Sequence, residues 1–395
     1  MLPLLLLVVL EAKAQDKDTY FIYNQKDTIA QKDGIDYLIQ LFKIKRTQES
    51  IRDKKVSFSF FPVDARNTGG DRLFVSSFNA TFLLGDKSNT NNSTVYLIPY
   101  ISFKNQYGLQ LYPTIWLKEN SWNFVGEYFI LNFPQSTWGL GGDNSESNET
   151  IVDGKQIRFH QSILKGIMPN LAIGLGFQYD NHYEIEVEEE VKTSVNNPEI
   201  DQNGGNTISS GLTIPIVFDS RKNTMNPRNG LYTGLTFRFN SPTFGSDHHW
   251  NSVFLDIRKY FSIPQTRSVL GFRSYYWSVL SGEAPYFDLP STRTEPATGM
   301  ASRGIEKNRY RSNAMLFMES EYRFNITRNG FVGGVLFTNI TSASQYDTQC
   351  FKYWKPSVGT GVRLKFNKYT KVNVALDFGI SKDFASVYLN IGEAF

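Results

Sequence analysis

The sequence predicts an all-β protein: a 16-stranded antiparallel transmembrane β-barrel with a short N-terminal periplasmic helical segment. Three observations predict it. Polarity alternates residue by residue over stretches of about ten, which is the period of a strand and the length of one tilted pass through a bilayer. Aromatic residues make up 15% of the chain although mean hydropathy is negative, the combination that alternation plus two interfacial aromatic girdles produces. Outside the N-terminus no apolar run approaches the roughly 18 residues that a membrane helix needs.

The elements follow in order. Leu2 to Leu10 are an apolar stretch, and Ala12-Lys13-Ala14 offers a small-x-small cleavage site before Gln15, so residues 1–14 read as a secretory signal peptide. Residues 15–55 form a periplasmic N-terminal segment with one amphipathic helix. Asp33 caps it, Ile35, Leu38, Ile39 and Phe42 recur along one face, and Lys43, Lys45 and Arg46 lie toward its end. Such a helix either packs under the barrel mouth or on the inner leaflet, or acts as a plug or partner-docking element.

Residues 56–395 carry the barrel, with strands near 56–64, 71–84, 94–104, 107–118, 122–133, 156–168, 171–188, 206–219, 230–240, 250–263, 267–281, 310–326, 330–341, 357–366, 371–381 and 385–395. The last two show the pattern most clearly. Val372, Val374, Leu376, Phe378 and Ile380 point outward, and Asn373, Ala375, Asp377, Gly379 and Ser381 inward. Val387, Leu389, Ile391 and terminal Phe395 then alternate with Ser386, Tyr388, Asn390 and Gly392. The long connections (Gln135 to Lys155, Glu189 to Gly205, Ser241 to His249, Gly282 to Arg309, Thr341 to Pro356) are all odd-numbered, and the even-numbered ones are mostly short. A barrel whose two rims face different compartments segregates loops this way; a soluble sandwich has no reason to. Closure requires the first strand beside the sixteenth, with both termini periplasmic.

Composition narrows the function. A net charge of +3 with scattered Lys and Arg argues against nucleic acid. Cys350 stands alone and can form no internal disulfide. His160 and His182 sit on predicted strands, and the adjacent His248 and His249 fix no metal geometry. The run Glu184 to Glu190 is a solvated strand extension or a collector of calcium or lipopolysaccharide-bridging cations. Lumenal Asp377 with Arg363 and Lys365 suits any hydrated barrel interior. No G-x-S-x-G, H-E-x-x-H or phosphate-cradling glycine loop is present. No catalytic residue, cofactor or metal is therefore expected.

Three segments resemble the BamA/TamA superfamily of outer-membrane barrels, also called bacterial surface antigens. The turn Asp219 to Gly230, with Arg221, Asn223, Asn226 and Pro227 inside it and Leu231-Tyr232 after it, is similar to the family's D-x-R-x-N-x-x-x-P-x-x-G-x-Y periplasmic turn. Its residues also suit a plain tight turn: Pro227 and Gly230 fix the backbone, and Asp219 can accept from nearby amides or from Arg221. Ser302-Arg303-Gly304-Ile305, followed by Asn308-Arg309-Tyr310-Arg311, resembles the family's R-G-F/Y loop, and Glu321-Tyr322 resembles the E-Y/F motif of its strand partner. Gly379 to Asp383, with Ile391-Gly392-Glu393-Ala394-Phe395, resembles the final hairpin and its G-x-A-F ending.

The resemblance implies that the loop enters the lumen and that Arg303 contacts acidic residues on the wall. Alternation on the twelfth strand turns Leu316, Met318, Tyr322 and Phe324 to lipid and Glu319, Glu321 and Arg323 to the lumen. An Arg303 to Glu321 pair is expected, with Glu319 adjusting it. Asn339 stands where the family has an aspartate on the next strand, so one acceptor charge is missing. Tyr388, Leu389, Ile391 and Phe395 would form the C-terminal barrel-assembly signal. The segment between signal site and first strand is too short for a polypeptide-transport-associated (POTRA) domain of the family's usual size.

Localisation in the bacterial outer membrane follows, with lipid and lipopolysaccharide as surroundings and outer-membrane or periplasmic proteins as partners. Three functional classes stay open: an assembly or membrane-remodelling factor with a lateral seam between first and last strands, a passive pore or transporter, and a surface scaffold.

Overall fold

In the computed structural model, alternating segments become strands that pair in chain order. The structure describes residues 31–41, 56–66, 72–86, 89–102, 106–132, 134–187, 206–296, 300–368 and 371–395, with backbone alone over 56–66 and 72–76. The signal peptide, most of segment 15–55 and the acidic run beyond Val187 lie outside these residues.

The strands are β1 (Val56–Arg66), β2 (Arg72–Phe82), β3 (Ser93–Ser102), β4 (Tyr107–Trp116), β5 (Trp122–Asn132), β6 (Thr150–Met168), β7 (Leu171–Val187), β8 (Thr207–Asp219), β9 (Gly230–Asn240), β10 (Trp250–Ser262), β11 (Val269–Gly282), β12 (Ala314–Asn325), β13 (Val332–Ala343), β14 (Lys355–Asn367), β15 (Val372–Ile380) and β16 (Ala385–Ile391). A three-residue segment, Gln135–Thr137, continues β5 after Pro134 and pairs with the start of β6. Counted as one strand with β5, it leaves sixteen antiparallel strands in one sheet among the described residues. Proline has no N–H to give the ladder and interrupts the pattern. The β5–β6 hairpin therefore reaches into a stretch that alternation alone reads as loop.

Each strand from β1 to β15 is joined in register to the next. Among the described residues, no residue of β1 is paired with β16. The odd-numbered connections lie on one rim, which carries the longest loops, 133–149, 188–206 and 283–313, beside short ones such as 103–106 and 381–384. The even-numbered ones lie on the other, short-turn rim, where the longest, 83–92 and 220–229, have ten residues each.

The outer face is apolar: Leu175, Leu212, Phe272, Leu336, Phe378 and Leu389 are all exposed. The inner face carries buried charge, including Asp180, Asp256, Arg258, Arg273, Glu319, Glu321 and Asp377. This inversion of a soluble protein's polarity is what lipid outside and water inside require.

Among the described residues one α-helix, α1 (Gly34–Leu41), lies against the short-turn rim. Asp33 accepts from the Asp36 amide at 2.8 Å, and Asp36 reaches back to the Asp33 amide at 3.1 Å, a reciprocal cap on the first turn. The Lys368 amine bonds both Asp36 oxygens at 2.8 and 2.7 Å, and Tyr37 stacks on Phe331 with ring centroids 4.5 Å apart. Helix α1 is thus docked on the β12–β13 and β14–β15 turns.

The C-terminus departs from the alternation. Simple extension of β16 sends Phe395 outward with Val387 and Leu389. In the structure β16 ends at Ile391, Gly392 takes φ of 102°, and Phe395 is buried against Tyr260, Val269 and Ala394. The positive φ, which glycine adopts freely, breaks the two-residue period and swings the last residues inward.

Candidate functional site

In the connection between β11 and β12, the described residues 283–296 and 300–313 fold into the interior. Its apolar residues anchor it: Ala301, Ile305 and Tyr310 pack with Phe254, Tyr275, Met315, Phe317 and Ala343 of the wall. That packing holds Arg303 against strands β12 to β15.

The Arg303 guanidinium is fully enclosed and meets three carboxylates. Nη1 donates to Asp377 Oδ2 at 2.5 Å, and Nη2 donates to both Glu319 and Glu321. The ring of Phe337 lies under the guanidinium, with its centroid 3.7 Å from Cζ. A planar fork of donors suits this arrangement in a way that an ammonium does not. Burial alone would lower the pKa of Arg303; Glu319, Glu321 and Asp377 outweigh it and raise the pKa above its ordinary value.

The backbone is held as firmly. Asn339 Nδ2 donates to the Arg303 carbonyl at 2.9 Å, and Ser357 Oγ donates to the same oxygen at 2.5 Å. The Gly304 amide donates to Tyr388 Oη at 2.9 Å. Gly304 has φ of 88°. Ser302 Oγ lies 2.9 Å from Thr341 Oγ1.

The network extends to the C-terminus. Arg363 bonds Asp377 and, through Nε, Glu393 at 2.7 Å. Asn373 Nδ2 donates to the other Glu393 oxygen at 2.7 Å. Arg323 bonds Glu321 at 2.7 Å and the Phe395 carbonyl at 2.9 Å. Arg303, Arg323 and Arg363 therefore alternate with Glu319, Glu321, Asp377 and Glu393 across the inner wall. Arginines bridging carboxylates satisfy charges that would be costly if stranded.

The structure thus brings Arg303, Gly304, Glu319, Glu321, Asn339 and Tyr388 together. Leu389 faces outward, Ile391 closes β16, and Phe395 joins the network from inside. The sequence placed Asp377 in the lumen with Arg363, a pair the structure contains, but not beside Arg303, and it did not single out Asp288. Asp377 restores the acceptor charge that Asn339 lacks, but from β15, and only the topology brings β15 beside the loop. Asp288, at the loop's opposite end, accepts from Ser209 at 2.5 Å and lies 3.2 Å from His182 Nε2. It tethers the loop to β7 and β8. Near those strands a second buried cluster joins Asp180 to Arg158 at 2.5 Å, Arg238 at 2.9 Å and His160 at 2.7 Å.

The loop is also locked at the long-loop rim. Asn308 Nδ2 donates to Gln135 Oε1 at 3.1 Å, Arg309 Nη2 to the Asn144 carbonyl at 2.7 Å, and the Gly141 amide to the Arg311 carbonyl at 2.7 Å.

The turn Asp219 to Gly230 is a separate construction on the other rim. Arg221 Nε and Nη2 bind Asp219 at 2.9 and 2.8 Å, and Asn223 Oδ1 accepts from the Met225 and Asn226 amides at 3.0 and 2.7 Å. Asn226 Nδ2 donates to the Lys371 carbonyl at 3.3 Å, Pro227 is buried, and Gly230 has φ of 113°.

A sheet of sixteen antiparallel strands with an oily outside, a charged inside and an arginine-bearing loop folded into its interior defines a β-barrel of the bacterial outer membrane. Residues 100–368 match the Omp85 superfamily domain, and the chain belongs to that superfamily. Among solved structures it is similar to BamA from Haemophilus ducreyi lacking POTRA domains 1-3, at 15% identity and a TM-score of 0.52 over 85% of this chain and 69% of that one. It is also similar to CdiB from Escherichia coli, at 10% identity and a TM-score of 0.58 over 87% of this chain and 63% of that one. CdiB from Acinetobacter baumannii gives 10% identity and a TM-score of 0.56 over 87% and 60%. The chain spans less than two thirds of either CdiB, and at these identities the likeness is one of fold. No curated protein matches.

Proposed function

We propose that this Omp85 barrel acts in the assembly or insertion of outer-membrane proteins, or in membrane remodelling, through a lateral seam between β1 and β16, with its short-turn rim toward the periplasm. Membership of the superfamily supports a general role in outer-membrane assembly or secretion. The observation that carries the finer reading is the contrast between the seam and the rest of the sheet. All other neighbouring strands are paired over most of their length, while β16 is a seven-residue strand with no described pairing to β1. A sheet edge exposes unsatisfied backbone groups, and such groups are very costly in lipid. An entering strand that pairs with them lowers the barrier for insertion.

The interior loop, pinned at Arg303 and Asp288, holds the wall in shape while the seam opens, and its place across the interior weighs against a passive pore. Membrane lipid and lipopolysaccharide surround the outer face, and client or accessory proteins approach the short-turn rim.

The test is depletion in the source bacterium together with reconstitution. The abundance of other outer-membrane barrels should fall on depletion, and vesicles containing this protein should accelerate the insertion of an unfolded small barrel. Unchanged abundance and unchanged insertion would refute the assembly role.

A further inference from the structure

The β8–β9 turn does more than reverse the chain. In a sheet of sixteen strands paired in order, that turn lies half the circuit away from the β1 and β16 edges, yet its tip reaches both flanks of the seam. The Tyr96 hydroxyl of β3 donates to Met225 Sδ at 3.3 Å. On the other flank, the Glu393 amide of the C-terminal tail donates to the Met225 carbonyl at 3.3 Å. A Cβ on Gly392 would sit 3.5 Å from that carbonyl and 3.7 Å from Met225 Cε, so the tail passes in van der Waals contact with the tip. Next to it, Asn226 holds the Lys371 carbonyl of the β14–β15 turn.

The turn is stiff enough to act at that distance. The Asp219–Arg221 fork and the two amides gathered by Asn223 fix its backbone, and the Arg221 guanidinium sits 4.6 Å from the centroid of the Tyr232 ring. Methionine suits the tip, because its thioether is a weak acceptor on an unbranched chain that adapts to two surfaces at once.

We infer that Met225 is the tip of a brace that crosses the short-turn mouth and couples the β3 flank of the seam to the C-terminal tail, so that the seam opens only when this brace disengages. This rests on the lateral-seam reading of the protein and adds the element that restrains it.

The experiment uses the full chain carrying Cys350→Ser in vesicles of outer-membrane lipid. In the first arm, Met225→Cys and Tyr96→Cys are joined by a short bismaleimide and cross-linking is read by gel and mass spectrometry. In the second arm, spin labels at Phe78→Cys on β2 and Leu389→Cys on β16, both exposed on the outer face, report the width of the seam by pulsed electron resonance. Met225→Ala and the milder Tyr96→Phe should each raise the long-distance population about twofold, the effect of losing one weak hydrogen bond of about 0.5 kcal/mol. Both changes remove the Tyr96–Met225 contact, and Tyr96→Phe also removes the bond between the Tyr96 hydroxyl and Asn79, so the two together should add little beyond Tyr96→Phe alone. Should Met225→Ala fail to fold, Tyr96→Phe still decides the matter.

Absence of the cross-link, or an unaltered distance distribution in Tyr96→Phe, would overturn the brace. If the cross-linked protein holds a narrow distance distribution yet still accelerates barrel insertion at the unmodified rate, the brace stands and insertion through the seam fails.

Discussion

Gly304 of the interior loop and Gly379 of β15 meet backbone to backbone. A Cβ built on Gly304 would lie 2.7 Å from the Ile380 nitrogen, and one built on Gly379 would lie 2.7 Å from the Gly304 nitrogen. Neither neighbour is a flexible side chain, so the contact admits no methyl group. Gly304→Ala, which also forces a side chain into φ of 88°, should lift the loop from the wall and cost about 1 to 3 kcal/mol, the usual range for overpacking. Gly379→Ala, in an ordinary strand conformation, should act through the clash alone and cost less. The temperature at which the folded band converts to the unfolded band on a gel measures both. Equal, negligible shifts would show that the loop is not held there.

Arg303 and Asp377 form the charge pair that the sequence did not expose. Arg303→Ala strands Glu319 and leaves Glu321 and Asp377 to Arg323 and Arg363 alone, and should destabilise by roughly 1 to 4 kcal/mol, between the values of exposed and buried pairs because lumenal water is near. Asp377→Asn removes one of the three acceptors from Arg303 and also weakens Arg363. Its cost should be smaller, and in an Arg303→Ala background it should be smaller still or reversed in sign. A double-mutant cycle on the same gel transition checks this, and strict additivity would rule out the direct coupling.

The strands were legible because their information is local: alternation needs only neighbours, and the sheet pairs them in order. Arg303, Glu319 and Glu321 were legible because the loop motif and the twelfth strand's alternation each point into the interior. The bond from Arg303 to Asp377 was not, since it depends on which strand lies beside the loop once the sheet curls, a relation between residues 74 positions apart. The inward turn at Gly392 was hidden for the opposite reason. One positive φ overrides a period that the preceding residues establish.

Lys307, on the loop, should titrate unusually. Its side chain is open to interior water, yet the enclosing protein and then Arg293, Arg158 and Arg311 bring its amine down to about 8. The surrounding protein, which displaces part of the amine's hydration, and the neighbouring cations both disfavour the ammonium form, so the amine is neutral at a lower pH than an ordinary lysine. Only the neutral amine is nucleophilic. Mass spectrometry after brief treatment with a small amine-reactive reagent should therefore show Lys307 modification rising through pH 8, well before exposed surface lysines. A profile rising only near 10.5 would show that the arginines are neutralised or distant in solution.

Phe395 separates the interior C-terminus from an outward one. Buried with Tyr260 and Val269, and with the Arg323 guanidinium 5.2 Å from its ring centroid, it fills space that alanine would leave empty. Phe395→Ala should destabilise by about 3 kcal/mol, the lower end for truncating a buried phenylalanine, because the site borders water that can enter. Leu389→Ala, on the exposed outer face, exchanges one lipid contact for another and should change stability by only a small fraction of that. If Phe395 instead pointed outward with Leu389, the two truncations would shift the heat-modifiable transition alike. A large difference between them, persisting when the Arg323 contact to the Phe395 carbonyl is left intact, locates the terminal ring inside the barrel.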